Sequence, residues 1–180
     1  MYAKSKLAGE DAVRSEIEDS LIVHTNIYGW NMQQGKQSLA EWILKRFENG
    51  EAVPGFHDVT FTPILVNDLS DVILDMIGVG LKGLYHVAGS EPCSKYDFAL
   101  RLAEIFGFQN ALVRLASIED SLLKAPRPKN TSLKTEKVSQ ELGRMMPDLN
   151  SGIRHFNRLL VSGFAARLKT LGGGGESAKI

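Results

Sequence analysis

Two side chains with complementary acid–base chemistry stand at the start of the chain. Tyr2 and Lys6, in the phrase YAKSKLAGEDAV, are four residues apart. On a helix that spacing brings both onto one face, about 6 Å apart along the axis. A phenol, with a pKa of about 10, gives up its proton at neutral pH only where its anion is stabilised, and a neighbouring ammonium does that. The pair has the makings of a proton donor and the group that tunes it. On spacing alone it equally fits two solvated residues on an exposed helix.

The elements around the pair narrow the choice. Ala3, Leu7, Ala8, Ala12, Val13 and Ile17 recur at three- and four-residue spacing among good helix formers, which predicts a helix over residues 2–18 despite Gly9. SLIVHTNIYGW is a short β-branched run ended by Gly29, the profile of a buried strand running into a loop, where functional residues often sit. SLAEWILKRFENG predicts a helix capped by Ser38, with Glu41 three residues on and Gly50 closing it. VTFTPILVNDLSDVILDMIG predicts a strand, then a helix capped by Asn67 or Asp68. GLYHVAG and ALVRLAS read as further strands, and SKYDFALRLAEIFGF as a helix between Ser94 and Gly107. KAPRPKNTSL is a proline-punctuated loop, KTEKVSQELG a short helix, and SGIRHFNRLLVSGFAARLKTL one final helix with Gly163 inside it. Strands alternating with helices indicate an α/β architecture.

Composition removes several function classes. Lys+Arg and Asp+Glu both number 21 among 180 residues, so a zero net charge favours neither nucleic acid nor an anionic membrane as partner. The 43% hydrophobic content suits an ordinary globular core. A single cysteine, Cys93, allows no internal disulfide and reads as a packing residue in a reducing cytoplasm. No apolar run has the length to cross a bilayer and no signal-peptide pattern opens the chain, so the expected location is cytoplasmic. His24, His57, His86 and His155 have no metal-ligand spacing, and no metal is expected. GVGLKG matches G-x-G-x-x-G at Gly78, Gly80 and Gly83, but that fingerprint needs a strand before the glycines and a helix after them. Here the order is reversed, so these glycines are expected to stop a helix and make a turn.

Five phrases, in order, carry a family resemblance over residues 2 to about 155. YAKSKLAGE resembles the active-site helix of extended short-chain dehydrogenases/reductases, and within them of the dTDP-4-dehydrorhamnose reductase group. IVHTNIYGWN resembles the strand and loop beside the nicotinamide, with His24 where arginine is usual. FTPILVNDLSDVILDMI, GLYHVAGSEPCSKYDFALRLAEIFG and APRPKNTSLKTEKVSQELG are similar to the segments that lead into the substrate domain, re-enter it and form its Arg-Pro element.

The resemblance implies the C-terminal portion of a Rossmann-type extended short-chain reductase: a partial parallel sheet and a small α/β substrate domain, lacking the N-terminal nucleotide-binding half. It places residual Rossmann elements and the catalytic helix in residues 1–35 and 67–93, and a substrate-binding domain in 36–66 and 94–171. Residues 172–180 are expected to be a flexible tail. It implies catalysis by Tyr2 and Lys6, with Tyr2 protonating a nucleotide-sugar 4-ketone as NADP or NAD gives hydride. Lys6, Thr25 and Asn26 are expected to contact the cofactor, and Tyr28 and Arg127 the substrate. Turn chemistry and packing remain open for Asn26 and Tyr28, as does loop anchoring for Arg127. Without a held nicotinamide the isolated chain is expected to be inactive and to bind no cofactor alone. The other reading is a non-catalytic module for nucleotide sugars or protein contacts. Apolar faces that parallel strands normally cover point to a homo-oligomer or to a separately encoded N-terminal half.

Overall fold

The computed structural model describes residues 2–33, 35–121 and 127–173, with Tyr2 described by its backbone alone. Helix α1 (Tyr2–Glu16) is followed by β1 (Leu21–His24) and β2 (Ile27–Tyr28). Then come α2 (Leu39–Glu48), β3 (Val53–Phe56), β4 (Thr60–Phe61), β5 (Ile64–Leu65) and α3 (Val66–Gly78). Next are β6 (Gly83–His86), β7 (Cys93–Ser94), α4 (Lys95–Phe106), β8 (Val113–Ala116) and β9 (Asn130–Thr131). Three helices finish the described chain: α5 (Glu136–Leu142), α6 (Leu149–Val161) and α7 (Phe164–Gly173).

Pairing is mostly parallel. β1 runs beside β6 with Val23 opposite Tyr85, β2 beside β5, and β3 beside β8 with Gly55 opposite Leu115. β4 lies between β7, antiparallel, and β9, parallel. Parallel neighbours need crossovers, and the intervening helices supply them.

Local sequence accounts for most of the boundaries. Ser38 accepts from the Glu41 N–H while the Glu41 carboxylate accepts from the Ser38 N–H, a capping box that starts α2. Ser94 and Asp97 repeat it for α4, which Gly107 ends. The GVGLKG glycines span the end of α3, the following turn and the first residue of β6, as their context required.

Two expectations are corrected. No side chain caps α3: β5, paired with β2, runs straight into it at Val66, so Asn67 and Asp68 already lie inside its first turn, and the Asp68 carboxylate pairs with His155 Nδ1 at 2.6 Å. The final helix is two helices. Gly163 takes φ 74°, a left-handed conformation that no helix interior tolerates, and it separates α6 from α7.

Two apolar clusters hold the elements together. One packs α2, α4 and α6 around Phe98, Leu102, Ile153 and Phe156, with Phe98 edge-on to both Tyr28 and Phe61. The other packs α3 and α5 on β6 through Val72, Met76, Tyr85 and Val138. Gly55 lets β3 approach α4 closely, since a Cβ there would stand 2.8 Å from the Tyr96 Cα. Helix α1 contrasts with all of these: every described side chain from Ala3 to Glu16 is exposed except half-buried Glu10. Its periodic apolar positions therefore face outward.

Candidate functional site

Helix α1 and strand β1 border an open groove of about 800 Å³, lined among others by Lys6, Glu10, His24 and Thr25. α1 is tied to the end of β1 by Glu10 Oε1, 2.8 Å from His24 Nε2. The His24 ring stacks on that of His86 from the neighbouring strand, with centroids 5.4 Å apart. Tyr2 is the first residue of the helix, and its side chain lies outside the described atoms. Lys6 follows one turn later and lines the groove. The Thr25 hydroxyl, just past β1, is buried and has no hydrogen-bond partner among the described residues. A buried hydroxyl left unmatched costs free energy, and its place in the groove wall makes it ready for a bound group.

Asn26 and Tyr28 are placed differently. Asn26 Oδ1 accepts the Thr62 N–H at 3.1 Å and its backbone carbonyl accepts the Ile64 N–H at 2.9 Å, which joins the β1–β2 connection to β5. Tyr28 is only 4% exposed and sits in the core between Phe98 and Phe156, at neither opening. Burial, and next the Asp68 carboxylate, pushes its phenol well above the ordinary range, so it stays protonated. The structure thus brings Lys6 and Thr25 together, and Tyr28 apart from them.

Arg127 lines a second and larger cleft of about 920 Å³. Its walls are apolar, drawn from Leu39 and Trp42 of α2, Pro54 and Phe56 of β3, and Pro128. Asp58 fixes one side of it. The carboxylate accepts from the Ser117 hydroxyl at 2.7 Å and the Ile118 N–H at 2.9 Å, and pairs with Lys129 at 3.2 Å. These bonds, the Ile118 amide foremost, hold the Asp58 carboxyl well below the usual carboxylate range.

Lys95 also lines this cleft, and the sequence did not single it out. It reads as an ordinary first residue of a capped helix. Its partner, the Phe61 ring, is far away in sequence, and the Nζ lies 3.1 Å from that ring's centroid. No local signal announces such a contact. Among the described residues no group of three His, Cys, Asp or Glu side chains could hold a metal ion.

Comparison with known proteins gives this geometry its context. The chain is 30% identical over 157 residues to a probable low-salt glycan biosynthesis reductase of Haloferax volcanii, covering 84% of this chain and 51% of that protein. It is 28% identical over 164 residues to the dTDP-4-dehydrorhamnose reductase of Escherichia coli, covering 86% and 54%. Among solved structures, the dTDP-4-dehydrorhamnose reductase of Bacillus anthracis, in complex with NADP, superposes with a TM-score of 0.77 at 26% identity, covering 87% of this chain and 54% of that one. The Clostridium acetobutylicum orthologue gives 0.78 at 25% identity, covering 89% and 55%. The chain spans about half the length of the curated relatives it matches. The α/β Rossmann-like fold is shared with these reductases. A family model for the RmlD substrate binding domain matches residues 1–161, and the chain belongs to that family.

Proposed function

We propose that this chain is the proton-donating and substrate-binding part of a reductase of nucleotide-sugar 4-ketones, of the dTDP-4-dehydrorhamnose reductase kind. The observation that carries the reading is the groove lined by Lys6, one turn after Tyr2, and by Thr25, whose buried hydroxyl has no partner among the described residues. Lys6 and Thr25 fit a nicotinamide cofactor, NADP or NAD, because one offers an ammonium and the other a buried hydroxyl with unused hydrogen-bonding capacity. When bound, that cofactor supplies the hydride. Tyr2 gives its phenolic proton to the oxygen of the reduced carbonyl, and the Lys6 ammonium lowers the cost of the phenolate left behind. Arg127 takes the substrate phosphates, since its planar guanidinium matches phosphate with paired hydrogen bonds.

The nucleotide end of this reading is assigned to the second cleft, which Arg127 lines. The reducing end needs a further part, because positioning the cofactor dominates such catalysis and no segment here matches a phosphate-binding turn. Among the described residues β1 pairs only with β6, and the reading gives its other edge a further parallel strand from a cofactor-binding partner. The test has two parts. Calorimetric titration of the chain alone is expected to show dTDP binding, and an assay with NADPH and dTDP-4-dehydrorhamnose no turnover. Fused behind the cofactor-binding half of the Bacillus anthracis reductase, the chain is expected to turn over, and Tyr2→Phe to lower kcat by about 10²–10⁴. Turnover unaffected by Tyr2→Phe removes the assigned proton donor. A fusion that binds dTDP and never turns over leaves the non-catalytic reading.

A further inference from the structure

The second cleft holds two cationic side chains, Lys95 and Arg127, and no acidic side chain lines it among the described residues. Such a pairing is unusual for a wall otherwise built of Leu39, Trp42, Pro54, Phe56 and Pro128. Flat apolar walls suit a planar ring, and two cations without a counter-ion suit a polyanionic tail. The volume of about 920 Å³ accommodates both parts in one ligand.

Lys95 is the less ordinary of the two. As the first residue of α4 it is aimed by the capping box of Ser94 and Asp97, and its backbone N–H donates to the Val59 carbonyl at 2.9 Å. The side chain is half-buried, with its Nζ over the Phe61 ring. The ring is a weak substitute for water or a carboxylate, so the ammonium is incompletely solvated. We propose that Lys95 is a specificity-determining residue of this cleft, that its ammonium binds the phosphates of a nucleoside diphosphate, and that this makes affinity depend on pH. The inference rests on the reductase reading for the sugar beyond the diphosphate.

The sign follows from the groups that face the amine. Burial lowers the Lys95 pKa to about 8. Its titratable neighbour on β7, Cys93, is pushed up by burial to about 12 and remains a neutral thiol throughout. Among the described residues that line the cleft the other charged group is Arg127, while α2 and β3 present apolar side chains to it. Below pH 8 the ammonium is present before the ligand arrives. Above that value binding must take up a proton from solvent to restore the ammonium, so affinity falls as pH rises.

Calorimetric titration with dTDP and with thymidine, at pH 7 and pH 9, tests this on wild type, Lys95→Met and Lys95→Arg. Wild type is expected to bind dTDP about tenfold more weakly at pH 9 than at pH 7. Lys95→Met is expected to bind about tenfold more weakly than wild type at pH 7 and to lose the pH dependence. Lys95→Arg keeps affinity near wild type and is flat over the same range, because guanidinium does not titrate there. Thymidine, which lacks phosphates, is expected to bind all three alike. If Lys95→Met binds dTDP like wild type with the same pH trend, the role of Lys95 is overturned and the nucleotide reading stands. If Lys95→Met weakens thymidine as much as dTDP, Lys95 shapes the cleft and does not read phosphate. If wild type binds no dTDP at either pH, both the inference and the nucleotide-sugar reading fall.

Discussion

Asp58 shows what a single side chain contributes here. It does not line the groove between α1 and β1, yet it holds Ser117, Ile118 and Lys129, which lie around the ends of the segment carrying Arg127. Its folded pKa is depressed, so its contribution to stability is complete above the unfolded value of about 3.9 and is lost as pH falls toward the folded one. Thermal melts are therefore expected to show wild type losing stability from about pH 4 downward. Asp58→Asn should melt lower than wild type at pH 6 and lose less on acidification over that window. Equal losses in both proteins would place the acid sensitivity elsewhere. The candidate site is unevenly legible at this level. The helix that carries Tyr2 and Lys6 could be read because helical spacing is a local property. Tyr28 could not be placed, since whether a tyrosine after a strand faces a ligand or the core depends on Phe98 and Phe156, far along the chain.

The helices and strands divide the same way. The Ser38–Glu41 and Ser94–Asp97 boxes involve residues three apart, so α2 and α4 were readable with their starting points. The start of α3 was not, because its N-cap residue is Leu65 of β5, whose pairing with β2 joins segments far apart in the chain. The break at Gly163 was missed because an isolated glycine in an apolar-periodic stretch is compatible with a continuous helix. Its φ of 74° makes the position measurable: Gly163→Ala places a Cβ in the left-handed region and is expected to destabilise by about 1 kcal/mol in urea unfolding. An alanine that stabilises instead would mean that α6 and α7 run together in solution.

Across the whole molecule the contrast is between two buried clusters and one outlying helix. Leu7 and Ile17 are 57% and 55% exposed, although their spacing is that of a packed helix face. A partner on this face is expected, so light scattering should report a species larger than one chain, and Leu7→Asp with Ile17→Asp should shift it toward the monomer. A monodisperse wild-type monomer would remove that expectation. Helix α7 lies beyond the residues matched by the family model, yet it is attached: Ala165 is buried and Lys169 Nζ approaches the buried Glu41 carboxylate at 3.6 Å. No helix among the described residues is long and apolar enough to cross a membrane.

Sequence alone determined the alternation of strand and helix, two of the helix starts, the rejection of the GVGLKG fingerprint and the helix that carries Tyr2 and Lys6, because each depends on residues within a few positions of one another. Only the tertiary structure decided that the Thr25 hydroxyl is buried without a partner among the described residues, that Tyr28 belongs to the core, and that Lys95 stands over Phe61 in a cleft with Arg127. Burial and electrostatic environment come from segments that meet only after the chain has folded, and those two quantities set what an ionisable or polar group can do.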